Sequence, residues 1–204
     1  MADRTILKQG RKMKVVCKII FSVLALLLIS GCAITHQYGP YMGQVVDKET
    51  NEPLEGAVVF LRIFTEYPTP GGPVSVFADA LEVMTDKAGE FTIPSHRVWS
   101  FRPVSWWDKV AHAIVFKPGY GAFPGHIASD LSKWKAYEYN NNGMPDDEHF
   151  TVILPKLKTR EERAKNVSSN ATFTTEIPLK KWQNLFELRN VECNKLGIEP
   201  WPRP

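Results

Sequence analysis

From residue 43 onward the apolar residues fall into short runs separated by turn chemistry: Gly43–Asp47, Ala57–Phe64, Val74–Val83, Phe91–Ile93, Ala111–Phe116 and Phe150–Leu154. Runs of this length and spacing predict the strands of an all-β sandwich. In the last run Phe150, Val152 and Leu154 share one face, the alternation of a half-buried strand. Ala111–Phe116 is apolar on both faces, which predicts a central strand covered on either side. Lys48 to Pro53 and Asp86 to Gly89 read as turns, with Gly89 free to take a positive φ.

Past Pro155 the period changes. Thr159-Arg160-Glu161-Glu162 has the spacing of a capping box, and it predicts a short charged helix to about Asn166. A polar stretch follows, after which Pro178 suits the first turn of a second helix and Gly197 its end. Leu179, Trp182, Leu185, Phe186 and Leu196 lie on or near one helical stripe, the pattern of a helix docked on a core. Composition agrees with a globular chain: of 204 residues 44% are hydrophobic, 11% aromatic and 23% charged, which excludes disorder, collagen and a multi-span membrane protein.

The net charge of +3 is concentrated at the N-terminus. The first 31 residues carry Arg4, Lys8, Arg11, Lys12, Lys14 and Lys18 against Asp3, leaving 19 basic and 21 acidic residues beyond them. A chain of that balance has no broad cationic face, which argues against nucleic acid as a partner. The basic segment, the apolar run Ile19 to Ile29 and the small residues after it form the three parts of a secretory signal. This run of eleven residues, all apolar but Ser22, falls short of the roughly 20 that a helix needs to span a bilayer. Ile29-Ser30-Gly31-Cys32 resembles the bacterial lipobox. The resemblance implies diacylglycerol on Cys32, cleavage before it and a membrane partner reached through lipid. Ala33, where aspartate favours inner-membrane retention, implies the outer membrane. Cys17 then leaves with the signal, and Cys193 has no partner for a disulfide. Near a helix end, with no neighbouring His or cation in view, Cys193 reads as a small buried hydrophobe.

Gly43-Gln44-Val45-Val46-Asp47, Asn51 through Val59, Thr85 through Phe91 and Lys117-Pro118-Gly119-Tyr120 resemble the carboxypeptidase regulatory-like domain. That resemblance implies a Greek-key β-sandwich of the transthyretin type over about residues 40 to 157, with Pro53 and Gly56 shaping the entry to the second strand and Asp86 to Gly89 closing a hairpin. The expected organisation is a lipoprotein signal peptide at 1–31, a tether at 32–42, the sandwich at 43–157 and a C-terminal extension of one or two helices at 158–204. The segment from Ser95 to Lys109 departs from the family as a long insertion.

Chemistry is sparse. None of the five histidines has glutamate three residues later, as the zinc carboxypeptidases require, and there is no Cys-x-x-Cys pair, nucleophile elbow or P-loop. His112, within an apolar strand, reads as a satisfied core histidine, and Gly119 to Gly125 as a surface loop. Glu138 to His149 matches a calcium loop at positions 1, 3, 5 and 6, but offers His149 where a bidentate Glu is wanted. No metal, cofactor or catalytic group is expected. The most unusual segment holds Trp99, Phe101, Trp106 and Trp107 with Arg97 and Arg102. Exposed, these aromatics would suit a sugar ring, a flat ligand or a protein; folded over the sandwich edge they would form a satellite core, the expected outcome. Arg97, Trp99, Arg102, Trp106 and Trp107 are therefore the candidate binding residues. The expected function is a non-catalytic envelope lipoprotein whose sandwich serves an interaction or structural role. Binding of a small ligand or glycan through the aromatic loop is the second reading, and an enzyme with a dispersed site the third.

Overall fold

A computed structural model describes residues 34–131, 143–144, 148–169 and 177–202, with positions 18, 21 and 22 described singly. Cys17, Cys32, most of the apolar run of the signal and most of the calcium-like segment lie outside the described residues.

Among the described residues, two larger sheets and a pair of helices make three layers, accompanied by a two-stranded ribbon. The strands are β1 Thr35–Tyr38, β2 Tyr41–Asp47, β3 Val58–Thr69, β4 Gly72–Met84, β5 Glu90–Ile93, β6 His96–Trp99, β7 Trp106–Trp107, β8 Ala111–Phe116, β9 Asp130–Leu131, β10 Gly143–Met144 and β11 His149–Leu154. The middle layer has the order β10-β8-β3-β4, and β7 also pairs with β3. The outer layer has the order β5-β2-β11-β9, in which β2 and β11 run parallel. The Asp86–Gly89 turn joins β4 of one sheet to β5 of the other, so it carries the chain between layers and does not close a hairpin. Gly89 takes φ 70°, and a Cβ there would meet Val45 O at 2.6 Å, which ties the turn to glycine on two counts.

Alternation decides which side chains fill which layer. Val59, Leu61, Ile63, Ala113 and Val115 point from the middle sheet toward Val45, Phe91, Phe150, Val152 and Leu154 of the outer one, forming the main core. Val58, Phe60, Ala80, Ile114 and Phe116 point the other way and are covered by the C-terminal helices. β8 is thus a central strand, and its unbroken apolar run follows from having two dry faces.

The helices are α1, Arg160–Ser169, and α2, Gln183–Leu196, preceded by a single 3-10 turn at Leu179–Lys181. The capping box forms: Thr159 Oγ1 accepts from the Glu162 N–H at 3.1 Å, and Glu162 Oε2 accepts from the Thr159 N–H at 3.1 Å. α2 has no side-chain cap of its own. The Glu82 carboxylate of β4 supplies one across the layers, accepting from the Asn184 and Leu185 N–H groups at 2.9 and 3.2 Å. Gly197 ends α2 in the left-handed conformation with φ 63°. Trp182, Leu185 and Phe186 are buried on the middle sheet.

Charge is also buried beneath the helices. Arg163 donates two hydrogen bonds to Glu192, each 2.7 Å, and Glu192 also accepts from the Gly119 N–H at 3.1 Å. Arg189 donates to Val167 O at 2.6 Å and lies 4.1 Å from the Trp201 ring centroid. Its burial pushes its guanidinium down to about 10. Cys193 is buried beside Arg189, one turn earlier in α2. A cation therefore does neighbour this thiol, yet burial outweighs it and raises the thiol above its ordinary value.

Candidate functional site

The segment expected as a tether is partly folded. Thr35–Tyr38 pairs antiparallel with His96–Trp99, placing Thr35 opposite Trp99 and Gln37 opposite Arg97. This two-stranded ribbon turns His36 and Val98 to one face, with Val98 buried, and sets Thr35, Gln37, Arg97 and Trp99 on the exposed face. After β6 the chain crosses the end of the sandwich and returns as β7, which continues the track of β8 along β3. Trp107 lies opposite Thr65, and Trp106 opposite Glu66.

The candidate binding residues separate by role. Trp107 is only 8% exposed and packs with its ring centroid 6.0 Å from His36 and 6.3 Å from Tyr38. It belongs to the main core. Arg102 is committed within the fold, donating to Thr65 Oγ1 and Phe77 O, both at 2.8 Å. Arg97, Trp99 and Trp106 remain exposed, Trp99 at 68% and Trp106 at 47%. The expected satellite core therefore accounts for Trp107 and not for Trp106, because adjacent residues of a strand face opposite ways. Phe101 and Val104, two and five positions after Trp99, are exposed at 66% and 73%.

Beneath the aromatic edge a polar relay fixes the backbone. The Tyr38 hydroxyl donates to Asp108 O at 2.6 Å, Asp108 Oδ1 accepts from the Val110 N–H at 3.2 Å, and Asp108 Oδ2 lies 2.7 Å from His112 Nε2. His112 is hence satisfied, although only half-buried. His96 Nε2 makes a similar contact with Asp79 Oδ2 at 2.9 Å, and Lys181 approaches Asp79 Oδ1 at 2.8 Å. Burial pushes both carboxyls up, but the bonds from His112 and the backbone at Asp108, and from Lys181 and His96 at Asp79, leave each below its ordinary value. A depressed carboxyl contributes stability that is present above its unfolded value and lost as pH falls through the folded one. Stability is expected to fall below about pH 4, the unfolded carboxylate range. Urea melts of the Asp108→Asn variant should show a shallower loss between neutral and acid pH than the parent; an equal slope would assign the acid sensitivity elsewhere.

Two further clusters hold polar groups. Gly125, His126, Ile127, Glu162, Lys165 and Asn166 line an open cleft of about 340 Å³ between the 121–129 loop and α1. The expected surface loop is in part interior, since Ala122 and Phe123 are buried, with the Ala122 N–H held by Asn166 Oδ1 at 2.9 Å. Tyr120 hydrogen-bonds to Asp47, and burial together with that carboxylate pushes the phenol up to about 12; this contact joins the loop after β8 to the end of β2. Among the described residues no group of three or more His, Cys, Asp or Glu side chains is placed to hold a metal ion, and no helix is long and apolar enough to cross a membrane.

The ribbon was not legible in the sequence because its strands are short and far apart in the chain, the pairs running from Tyr38 with His96 to Thr35 with Trp99. The available signal was the alternation of His36 and Tyr38 against Thr35 and Gln37.

No family model matches the chain, and no curated protein matches it. Among solved structures, an alternative pilotin from the type II secretion system of Vibrio cholerae matches over 61% of this chain and 99% of that chain, at 11% identity and a TM-score of 0.28. A TM-score of that size does not establish a shared fold.

Proposed function

We propose that the protein is an exported lipoprotein, held by acyl chains on Cys32, whose sandwich is a non-catalytic interaction or structural module of the cell envelope. The observation that carries this reading is the sequence Ile29-Ser30-Gly31-Cys32 directly after a basic segment and an apolar run too short to span a bilayer. A thioether-linked lipid and an amide-linked acyl chain together satisfy the rule that stable anchoring takes more than one chain. Ala33 after the cysteine favours the outer membrane, with the sandwich facing the periplasm. The finer fold assignment, a Greek-key sandwich of the carboxypeptidase regulatory-like type, is supported by the motifs quoted above and by the non-sequential order β5-β2-β11-β9. Committing the polar groups at the aromatic edge to internal bonds favours a non-catalytic role there.

Replacing Cys32 by Ser is expected to abolish acylation and leave the full-length precursor, read as a higher mass and loss of lipid on the N-terminal peptide. A variant cleaved and membrane-attached like the parent would overturn the lipoprotein reading. The second reading, glycan or small-ligand binding, draws on the exposure of Trp99 and Trp106. It predicts saturable quenching of tryptophan emission by oligosaccharides, and loss of that quenching in Trp99→Ala.

A further inference from the structure

We propose that the exposed edge formed by Trp99, Phe101 and Val104 seats on the lipid surface to which Cys32 is attached and so sets the orientation of the sandwich on the membrane. This rests on acylation at Cys32, the reading given above.

The length of chain between anchor and fold carries the argument. Ile34 O accepts a hydrogen bond from the Ser100 N–H at 2.9 Å, so Ile34 is fixed to the residue that separates Trp99 from Phe101. Cys32 lies two positions earlier. Two residues span at most about 7 Å when fully extended. The acyl chains therefore enter the bilayer beside these two rings, and the domain has no leash on which to stand away. Any protein or sugar bound at this edge would have to displace the bilayer that the anchor holds against it.

The chemistry of the edge suits that position. Tryptophan prefers the headgroup level, where an apolar ring and an N–H are both accommodated. Arg97 shares the exposed face of β6 with Trp99, since Val98 between them turns inward. A guanidinium there can meet lipid phosphate while its stem lies along the apolar surface. Val104 adds a second, independent sign. It sits with Pro103 in a turn in which the Ser105 N–H donates to Arg102 O at 3.3 Å, and it has φ 70°, a conformation that turns of this kind normally give to glycine. A β-branched residue held there is strained, and it holds an apolar side chain out at the tip. Three large apolar side chains exposed within the six positions from Trp99 to Val104 mark a surface that something covers.

The test uses the mature acylated protein, processed at Cys32, reconstituted into phosphatidylethanolamine–phosphatidylglycerol vesicles whose chains are brominated near the headgroup. Bromine should quench part of the tryptophan emission, and Trp99→Phe should remove most of the quenched part without moving the melting temperature, because the Trp99 ring is exposed. Mass spectrometry of the N-terminal peptide is read on the same samples. Acylated protein whose quenching is absent, or unchanged in Trp99→Phe, would overturn the edge proposal and leave the anchor standing. Absence of lipid on Cys32 would overturn both. Shielding of Trp99 from aqueous acrylamide without bromine quenching would show that a second copy or another protein covers the edge, and would overturn the proposal in favour of a protein interface.

Discussion

Deleting residues 178–204 should leave a chain without a cooperative thermal transition. The deletion removes Trp182, Leu185 and Phe186, all buried, and uncovers Val58, Phe60, Ile114 and Phe116 on the middle sheet. Burial of a large apolar side chain contributes about 1.5–3 kcal/mol. These three side chains alone then contribute roughly 5–9 kcal/mol, against a total domain stability of about 5–15. The deletion also strips Arg163 and the Gly119 N–H of Glu192, and leaves the Glu82 carboxylate without the helix N-terminus it caps. Circular dichroism melts of parent and truncated proteins check this; an unchanged midpoint would show that the helices are not part of the cooperative unit.

Trp107→Ala and Trp106→Ala should differ sharply although the residues are neighbours. Trp107 fills the end of the main core against His36 and Tyr38, and removing a packed ring of this kind costs about 3–5 kcal/mol. For a domain of this size that corresponds to a fall in melting temperature of roughly 6–20 °C. Trp106 stands on the opposite face, half exposed, and its truncation should cost less than about 0.5 kcal/mol. Equal midpoints for the two variants, measured by calorimetry, would refute the assignment of faces.

The same pair shows where the sequence was readable. Each of the six apolar runs became a strand, and the capping box and Gly197 marked real helix ends, because those signals are local: alternation, a hydroxyl three residues from a carboxylate, a glycine at positive φ. What escaped was set by distant partners. Thr35–Tyr38 resembles a linker until His96–Trp99 is laid beside it. Asp86–Gly89 has the residues of a hairpin turn, yet nothing in them says whether the next strand joins the same sheet. Arg189 and Glu192 look like surface charges on a helix, and only the packing of α2 against the middle sheet and α1 buries them. At the candidate site the residue types were legible, while the separation of Trp107 and Arg102 from Arg97, Trp99 and Trp106 required the register of β7 on β3.

The parallel pairing of β2 with β11 has a consequence for the order in which the chain acquires structure. Met42 to Asp47 finds its partner in His149 to Leu154, about a hundred residues later, and the middle sheet is dry on both sides only once α2 has docked. Loops of that length close slowly, because the entropy of closure is lost before the contacts form. The long β3–β4 hairpin, paired from Val58–Met84 to Thr69–Gly72, is a large local element available earlier. A nascent chain can therefore form this hairpin but cannot complete either sheet until its last third has emerged. Under the export and acylation proposed above, the topology itself would delay the compact state until translocation is nearly done.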